Sequence, residues 1–236
     1  MRPSKRNPDQ IREVTITPHV NAYAEGSCLV KFGNTHVICT ASVEEKVPPF
    51  LRNKGTGWIT AEYNMLARST HSRMHKDPLK PNGRAIEIQR LIGRSLRAAI
   101  DVKKLGERQI TIDCDVIQAD GGTRCAAITG GYVALAIAVN KLVNQRVVRD
   151  NPLIGAVCGI SCGVFDGQVV ADLDYLEDSK CDVDSNFIIN KDFNLIEIQG
   201  TAEQGSMSFE QISQMFELAK KAAKEIFEIQ KEAIGR

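Results

Sequence analysis

Almost no net charge is carried by this chain: 30 Lys and Arg against 29 Asp and Glu leave a formal +1. That excludes a uniformly polycationic nucleic-acid binder, so any surface for a polyanion has to come from local clustering of charge. No apolar run is read as approaching the length of a membrane span, and no membrane partner is expected. The basic start, Met1-Arg2-Pro3-Ser4-Lys5-Arg6, has the charge of a signal peptide without the apolar core that should follow it, so the expectation is a cytoplasmic protein. CxxC pairs are missing as well. The seven cysteines stand at 28, 39, 114, 125, 158, 162 and 181, an odd set scattered through apolar runs, and no zinc site is assigned. Cys28 and Cys39 fall opposite each other if Gly33-Asn34 is a two-residue hairpin loop. A disulfide there stays open, although two reduced thiols suit a cytoplasmic core better.

What is present is the composition of an ordinary globular protein. At 43% hydrophobic and 25% charged, 236 residues can bury one large core or two modest ones. The chain is organised around residues 110–138. Ile110, Ile112, Cys114, Val116 and Gln118 alternate as one face of a strand, and the apolar residues from Ala127 to Ala138 then read as a helix with little polar surface. Between them lies Asp120-Gly121-Gly122-Thr123-Arg124. Two glycines permit a sharp turn and close approach of a ligand. The N–H groups that open the helix lack internal partners and sit at the positive end of its dipole. That geometry favours an anion, and the Arg124 fork matches phosphate oxygens. The plainer alternative is a glycine turn with an exposed arginine. It is not a Walker loop, because the second glycine and the Lys-Ser/Thr pair are missing.

Taken in order, residues 1–12 are polar and basic and are expected to form a tail or arm. Residues 25–45 read as a hairpin and 58–63 as a further strand. A long loop over 68–84 concentrates Arg68, Arg73, Lys76, Lys80 and Arg84, which in a nearly neutral protein points to a polyanion or to a subunit contact. His71 and His75 have helical metal-pair spacing, but Pro78 and Pro81 argue against a helix there. A helix is expected from Arg84 or Ala85 to about Val102, with Arg90, Arg94 and Arg97 on one face. Arg84 at its start is poorly placed for the helix dipole unless an anion lies between. Residues 142–151 are a connector. Strands are expected at 154–164, 168–174, 185–189 and 195–200. A final helix starts at a Ser208/Gln211 capping box, with Phe209, Ile212, Met215, Phe216, Ala219, Ala223, Ile226 and Phe227 inward. Strand pairs followed by a helix occur twice, which implies two similar halves or a layered α+β fold.

Six carboxylates crowd residues 172–184, at Asp172, Asp174, Glu177, Asp178, Asp182 and Asp184. Such groups repel and raise one another's pKa, and oxygen ligands of this kind suit Mg²⁺ or Mn²⁺; a solvated acidic loop is the alternative, and spacing does not say which of the six converge.

These features resemble the bacterial ribonuclease PH family over nearly the whole length. The resemblance rests on AEGSCLVKFGNT, CTASVEE, GWITAEYNML, RSTHSR, EIQRLIGRSLRAA, DCDVIQADGGTR, DLDYLEDS and IEIQGTAE. It implies a ribonuclease PH-like α+β fold (ribosomal protein S5 domain 2-like), mixed sheets with packed helices, in a single domain over residues 1–236 whose halves join near 142–152. It implies a phosphorolytic 3′→5′ exoribonuclease that trims tRNA precursors and other RNA 3′ ends. Inorganic phosphate is then the co-substrate, nucleoside 5′-diphosphates are the products, and the reaction is reversible. A homo-oligomeric ring, a hexamer built as a trimer of dimers, is implied too. By the same resemblance phosphate is held by Arg84, Gly122, Thr123 and Arg124. Asp178 and Asp184 are associated with catalysis and with Mg²⁺ or Mn²⁺, as metal ligands or with one of them as a general acid. RNA would meet Arg68, Arg73 and Lys76, and more weakly Arg90 and Arg94, although the RSTHSR loop is also linked to ring assembly. Lys180-Cys181 departs from the expected small residues; the lysine either weakens the metal or points to solvent. Two rivals remain: an inactive subunit of the same fold, and a hydrolytic nuclease that uses water.

Overall fold

The helix expected after the glycine turn, α3 (Thr123–Asn144), is the centre of the computed structural model, which describes residues 2–75, 83–203 and 205–235. The described residues form nine strands: β1 (Val14–Pro18), β2 (Gly26–Phe32), β3 (Thr35–Glu44), β4 (Trp58–Met65), β5 (Gln109–Gln118), β6 (Val157–Phe165), β7 (Gln168–Ala171), β8 (Val183–Asn190) and β9 (Leu195–Ala202). The first five form one sheet in the order β1-β2-β3-β5-β4, and the last four form a second, β7-β6-β8-β9. All pairings are antiparallel except β4 with β5. Further helices are α1 (Gly83–Arg97), α2 (Val102–Leu105), α4 (Tyr175–Asp178) and α5 (Phe209–Ile234). The α+β expectation, mixed sheets with packed helices, holds.

α3 touches β2, β3 and β5 on one side and β6 on the other. Being covered on both sides explains why it is apolar all round. It corrects one expectation: by length and composition this helix could cross a membrane, yet 83% of its apolar window is buried inside the protein. Small residues let it approach the sheets. A Cβ on Gly130 would lie 2.6 Å from Val30 Cγ1 and 2.8 Å from Cys39 Sγ. Both neighbours belong to central strands and cannot withdraw. Gly130→Ala should therefore lose more by overpacking, ~1–3 kcal/mol, than it gains in helix propensity, ~1 kcal/mol. The expected result is a melting temperature lower by roughly 5 °C; an unchanged or raised value by calorimetry would refute the packing argument.

Gly33-Asn34 is the two-residue hairpin loop, with Gly33 at φ +52°, and Cys28 pairs in register with Cys39, which in turn pairs with Cys114. All seven cysteines are free and buried. Other boundaries move for local reasons. The helix expected to Val102 stops at Arg97, because Ile100 bridges to Leu153 and Asp101 caps α2 by accepting from the Lys103 N–H. The strand expected over 168–174 stops at Ala171, because Asp172 is left-handed at φ +53° and Asp174 begins α4. α3 runs on to Asn144, into the expected connector. β1 was not anticipated. The Ser208/Gln211 capping box is present, but Phe209 is 83% exposed rather than inward.

The largest correction concerns the expected N-terminal tail. Arg2 is 4% exposed and Arg12 9% exposed. Arg2 pairs with Glu177 at 2.8 Å, Arg12 with Asp172 at 2.7 Å, and Arg6 reaches Asp172, Asp174 and Glu177. This arm sorts the six carboxylates: Asp172, Asp174 and Glu177 are taken by arginines and by capping, whereas Asp182 is exposed.

Candidate active site

Residues from both halves of the chain line a single cavity of about 330 Å³: Arg84 and Glu87 from α1, Arg124 from α3, Asp178 from α4, Asp184 and Asn186 from β8, and Gln199, Gly200, Thr201 and Glu203 from β9 and its end. Arg84 and Arg124, expected as phosphate ligands, thus face Asp178 and Asp184, expected as the catalytic pair. Backbone geometry explains the first side. Gly121 and Gly122 both take positive φ, +77° and +64°, and Gly122 is the residue before α3. A Cβ on Gly121 would meet the Leu173 carbonyl oxygen at 2.7 Å, so glycine is needed both for conformation and for space. The Thr123 hydroxyl is hydrogen-bonded with the Tyr63 hydroxyl at 2.8 Å. Arg124 donates to Gln199 Oε1 at 2.8 Å and lies 3.8 Å from Glu87. Gln199 in turn donates to Glu197, which is bridged to Arg94.

The acidic side is assembled by a one-turn helix and a strand. Asp178 closes α4, and Asp184 is the second residue of β8. Cross-strand register places Asp184 beside Thr201 and Asn186 beside Gln199. These neighbours, with Glu203, were not anticipated as site residues. Their signal was the period-two alternation of Gln199, Thr201 and Glu203 at the end of the IEIQGTAE motif.

Electrostatics in the cavity are unbalanced. Burial is the main reason that the Asp178 carboxyl is raised above its ordinary value, with Arg84 and Arg124 pulling it back and Glu203 pushing it further. Asp184 is pushed up to about 6, again chiefly by burial and next by repulsion from Asp178. Two arginines therefore do not offset the desolvation and mutual repulsion of two carboxylates. Protonation or a bound cation would relieve this excess of negative charge. Among the described residues no group of three or more His, Cys, Asp and Glu is arranged to hold a metal ion. A pair of carboxylates nevertheless fits Mg²⁺, which keeps waters and is completed by substrate phosphates rather than by a full protein cage.

The residues expected to meet RNA lie elsewhere. Arg68, Arg73, Arg90 and Arg94 are exposed and do not line the cavity, and Lys76 falls outside the described residues. Arg68 donates to the His71 carbonyl at 2.5 Å. Arg94 is held by both oxygens of Glu197 at 2.9 and 2.6 Å, which ties it to β9. Arg97 lies over the Trp58 ring and donates to the Ile59 carbonyl. Lys180 is exposed and outside the cavity lining.

Comparison with known proteins agrees with this geometry. Family models described as the 3′ exoribonuclease family, domain 1 and domain 2, match residues 10–140 and 155–222. The chain is 54% identical to ribonuclease PH of Caulobacter vibrioides and 53% identical to that of Cereibacter sphaeroides, each over 237 residues and 100% of both chains. Among solved structures, rice (Oryza sativa) Rrp46 superposes with a TM-score of 0.80 at 20% identity, covering 99% of this chain and 100% of that one. The Archaeoglobus fulgidus exosome with RNA bound to the active site gives 0.80 at 20% identity over 96% and 91%. Those two likenesses are of fold; the identity and full coverage of the bacterial relatives settle the assignment, and the chain belongs to the 3′ exoribonuclease family of the ribonuclease PH type.

Proposed function

We infer that this chain is a phosphate-dependent 3′→5′ exoribonuclease that processes tRNA precursors, and that the cavity between α1, α3, α4 and β9 is where it works. One observation carries the placement: two arginines and two carboxylates of raised pKa line the same cavity at the start of α3. Inorganic phosphate binds to Arg84, Arg124 and the N–H groups that follow Gly122, with Thr123 fixed by Tyr63. Phosphate and phosphodiester are both anions, so holding the attacker removes an entropic cost and offsets repulsion. An oxygen of phosphate forms a bond to the terminal phosphorus, and the bond to the 3′-oxygen of the preceding nucleotide breaks. The products are a nucleoside 5′-diphosphate and an RNA shorter by one residue. Asp184, whose pKa is pushed up to about 6, is suited to give its proton to that leaving oxygen.

In the alternative reading, with both carboxyls ionised, Asp178 and Asp184 would instead be the residues to hold Mg²⁺ or Mn²⁺. Such an ion, when bound, stabilises charge on the phosphoryl oxygens. Arg68 and Arg73, outside the cavity, serve RNA or a neighbouring subunit. A homo-oligomeric ring, a trimer of dimers, is the expected assembly, supported by the likeness in fold to subunits of exosome structures; light scattering that shows only monomers would remove it.

The decisive assay incubates the protein and Mg²⁺ with a tRNA carrying a short 3′ tail, with and without inorganic phosphate. Nucleoside diphosphates released only with phosphate are expected. Monophosphates released without phosphate would mean hydrolysis, and bound but intact RNA would mean an inactive subunit.

A further inference from the structure

The N-terminal arm joins the two sides of the cavity. The Arg12 guanidinium grips Asp172 through Nε and Nη2 at 2.9 and 2.7 Å, and its backbone N–H adds a third bond to the same carboxylate at 2.7 Å. Nη1 turns the other way and donates to the Asp120 carbonyl at 2.5 Å. Thr35 straps the same loop: its hydroxyl donates to the Gly121 carbonyl at 2.7 Å and accepts from the Asp120 N–H at 2.9 Å. On the acidic side, Glu177 is fully buried and accepts from Arg2 at 2.8 Å through each oxygen, from Ser4 at 3.0 Å and from Arg6 at 3.0 Å. α4 is a four-residue turn, too short to hold its own position, so these bonds and its capping box decide where Asp178 stands.

Stability does not account for such a network. Buried ion pairs are usually no better than well-packed apolar residues of the same size. What the network supplies is fixed geometry between Gly122-Arg124 and Asp178. Taking the phosphate site described above as its basis, we propose that Arg12 and Glu177 are positioning residues for phosphorolysis. Arg12 sets the phosphate-holding loop, and Glu177 sets the carboxylate that faces it. Neither lines the cavity.

The test uses four variants of the full chain. Arg12→Lys keeps the charge against Asp172 but cannot reach two partners at once. Thr35→Val removes the second strap on the loop without changing shape, and stands in if Arg12→Lys fails to fold. Glu177→Gln removes the charge that gathers Arg2 and Arg6; Ser4→Ala, which removes one bond to the same carboxylate, is its milder substitute. Inorganic phosphate is titrated calorimetrically without divalent cation, kcat is measured at saturating phosphate, and melting temperature is the control. The loop variants should weaken phosphate binding by about 10-fold while kcat changes less than about threefold; the α4 variants should lower kcat by about 10-fold with phosphate binding nearly unchanged. Unchanged phosphate binding in Arg12→Lys and Thr35→Val overturns the proposal. So do losses in all four that merely track melting temperature. Wild-type protein that degrades RNA without binding phosphate would instead sink the phosphate site itself.

Discussion

Replacing Arg124 by alanine is expected to raise the phosphate concentration for half-maximal rate by at least about 100-fold, while RNA binding changes by less than about threefold. The size follows from what the side chain faces. Arg124 sits at the first turn of α3, held by Gln199, in a cavity whose other strong cation is Arg84. Loss of one preorganised donor at a developing anion generally costs 10²–10³ in rate, or about 3 kcal/mol. Contacts to the remainder of an RNA chain would not be touched. A second consequence has a definite sign. Arg124 lowers the pKa of both Asp178 and Asp184. Its removal should move the alkaline limb of the pH–rate profile, set by ionisation of the Asp184 proton donor, to higher pH. An unchanged apparent phosphate affinity would remove Arg124 from the phosphate site.

Asp184→Asn should lower kcat by about 10³-fold or more, and yet yield a more stable protein at pH 7.5 in the presence of a chelator. The two effects share one cause. In the folded protein the Asp184 carboxyl titrates at about 6 instead of its ordinary 3.8, so the fold prefers it protonated. That preference stabilises the wild type fully below pH 3.8 and is lost as pH rises through about 6. Above that point the ionised carboxylate is a cost that asparagine does not incur. A rise from 3.8 to about 6 sets a ceiling of ~3 kcal/mol; solvent screening at a partly accessible cavity reduces it to on the order of 1–2 kcal/mol. For a chain of 236 residues this is a gain of roughly 2–6 °C in melting temperature at pH 7.5, vanishing by about pH 4. Mg²⁺ should raise the melting temperature of the wild type at pH 7.5, because it binds only the folded pair. It should leave Asp184→Asn nearly unmoved. A variant that is inactive but less stable than the wild type at every pH would show that Asp184 is a structural residue. Equal Mg²⁺ stabilisation of both proteins would place the ion elsewhere.

The stretch 110–138 declared its strand, its turn and its helix without any tertiary information. Its alternation of apolar residues, its two glycines and its following apolar run are local properties. Arg84 was legible because a cation at a helix start conflicts with the dipole unless an anion resolves the conflict, and Arg124 because its fork follows a glycine turn whose N–H groups favour an anion. Long motifs such as ADGGTR and DLDYLEDS then pointed to phosphorolysis. The carboxylate cluster was visible as a cluster only. Six acidic residues within thirteen positions look alike in sequence, and their sorting depends on Arg2, Arg6 and Arg12, which lie some 160 residues away along the chain. The arm that does the sorting read as a tail, because a buried arginine and a solvated one are the same letter. Glu203, Gln199 and Asn186 join the site only through the register of β8 with β9, which is a tertiary choice. α3 likewise took its all-round burial from the two sheets that enclose it, and Phe209 its exposure from the absence of any such cover among the described residues. Local chemistry and period thus determined the elements and the anion loop, and the family resemblance carried by the long motifs implied the class of reaction. Which charges meet, and therefore which pKa values are raised, was decided by contacts between segments far apart in the chain, where burial makes each pairing strong and its absence costly.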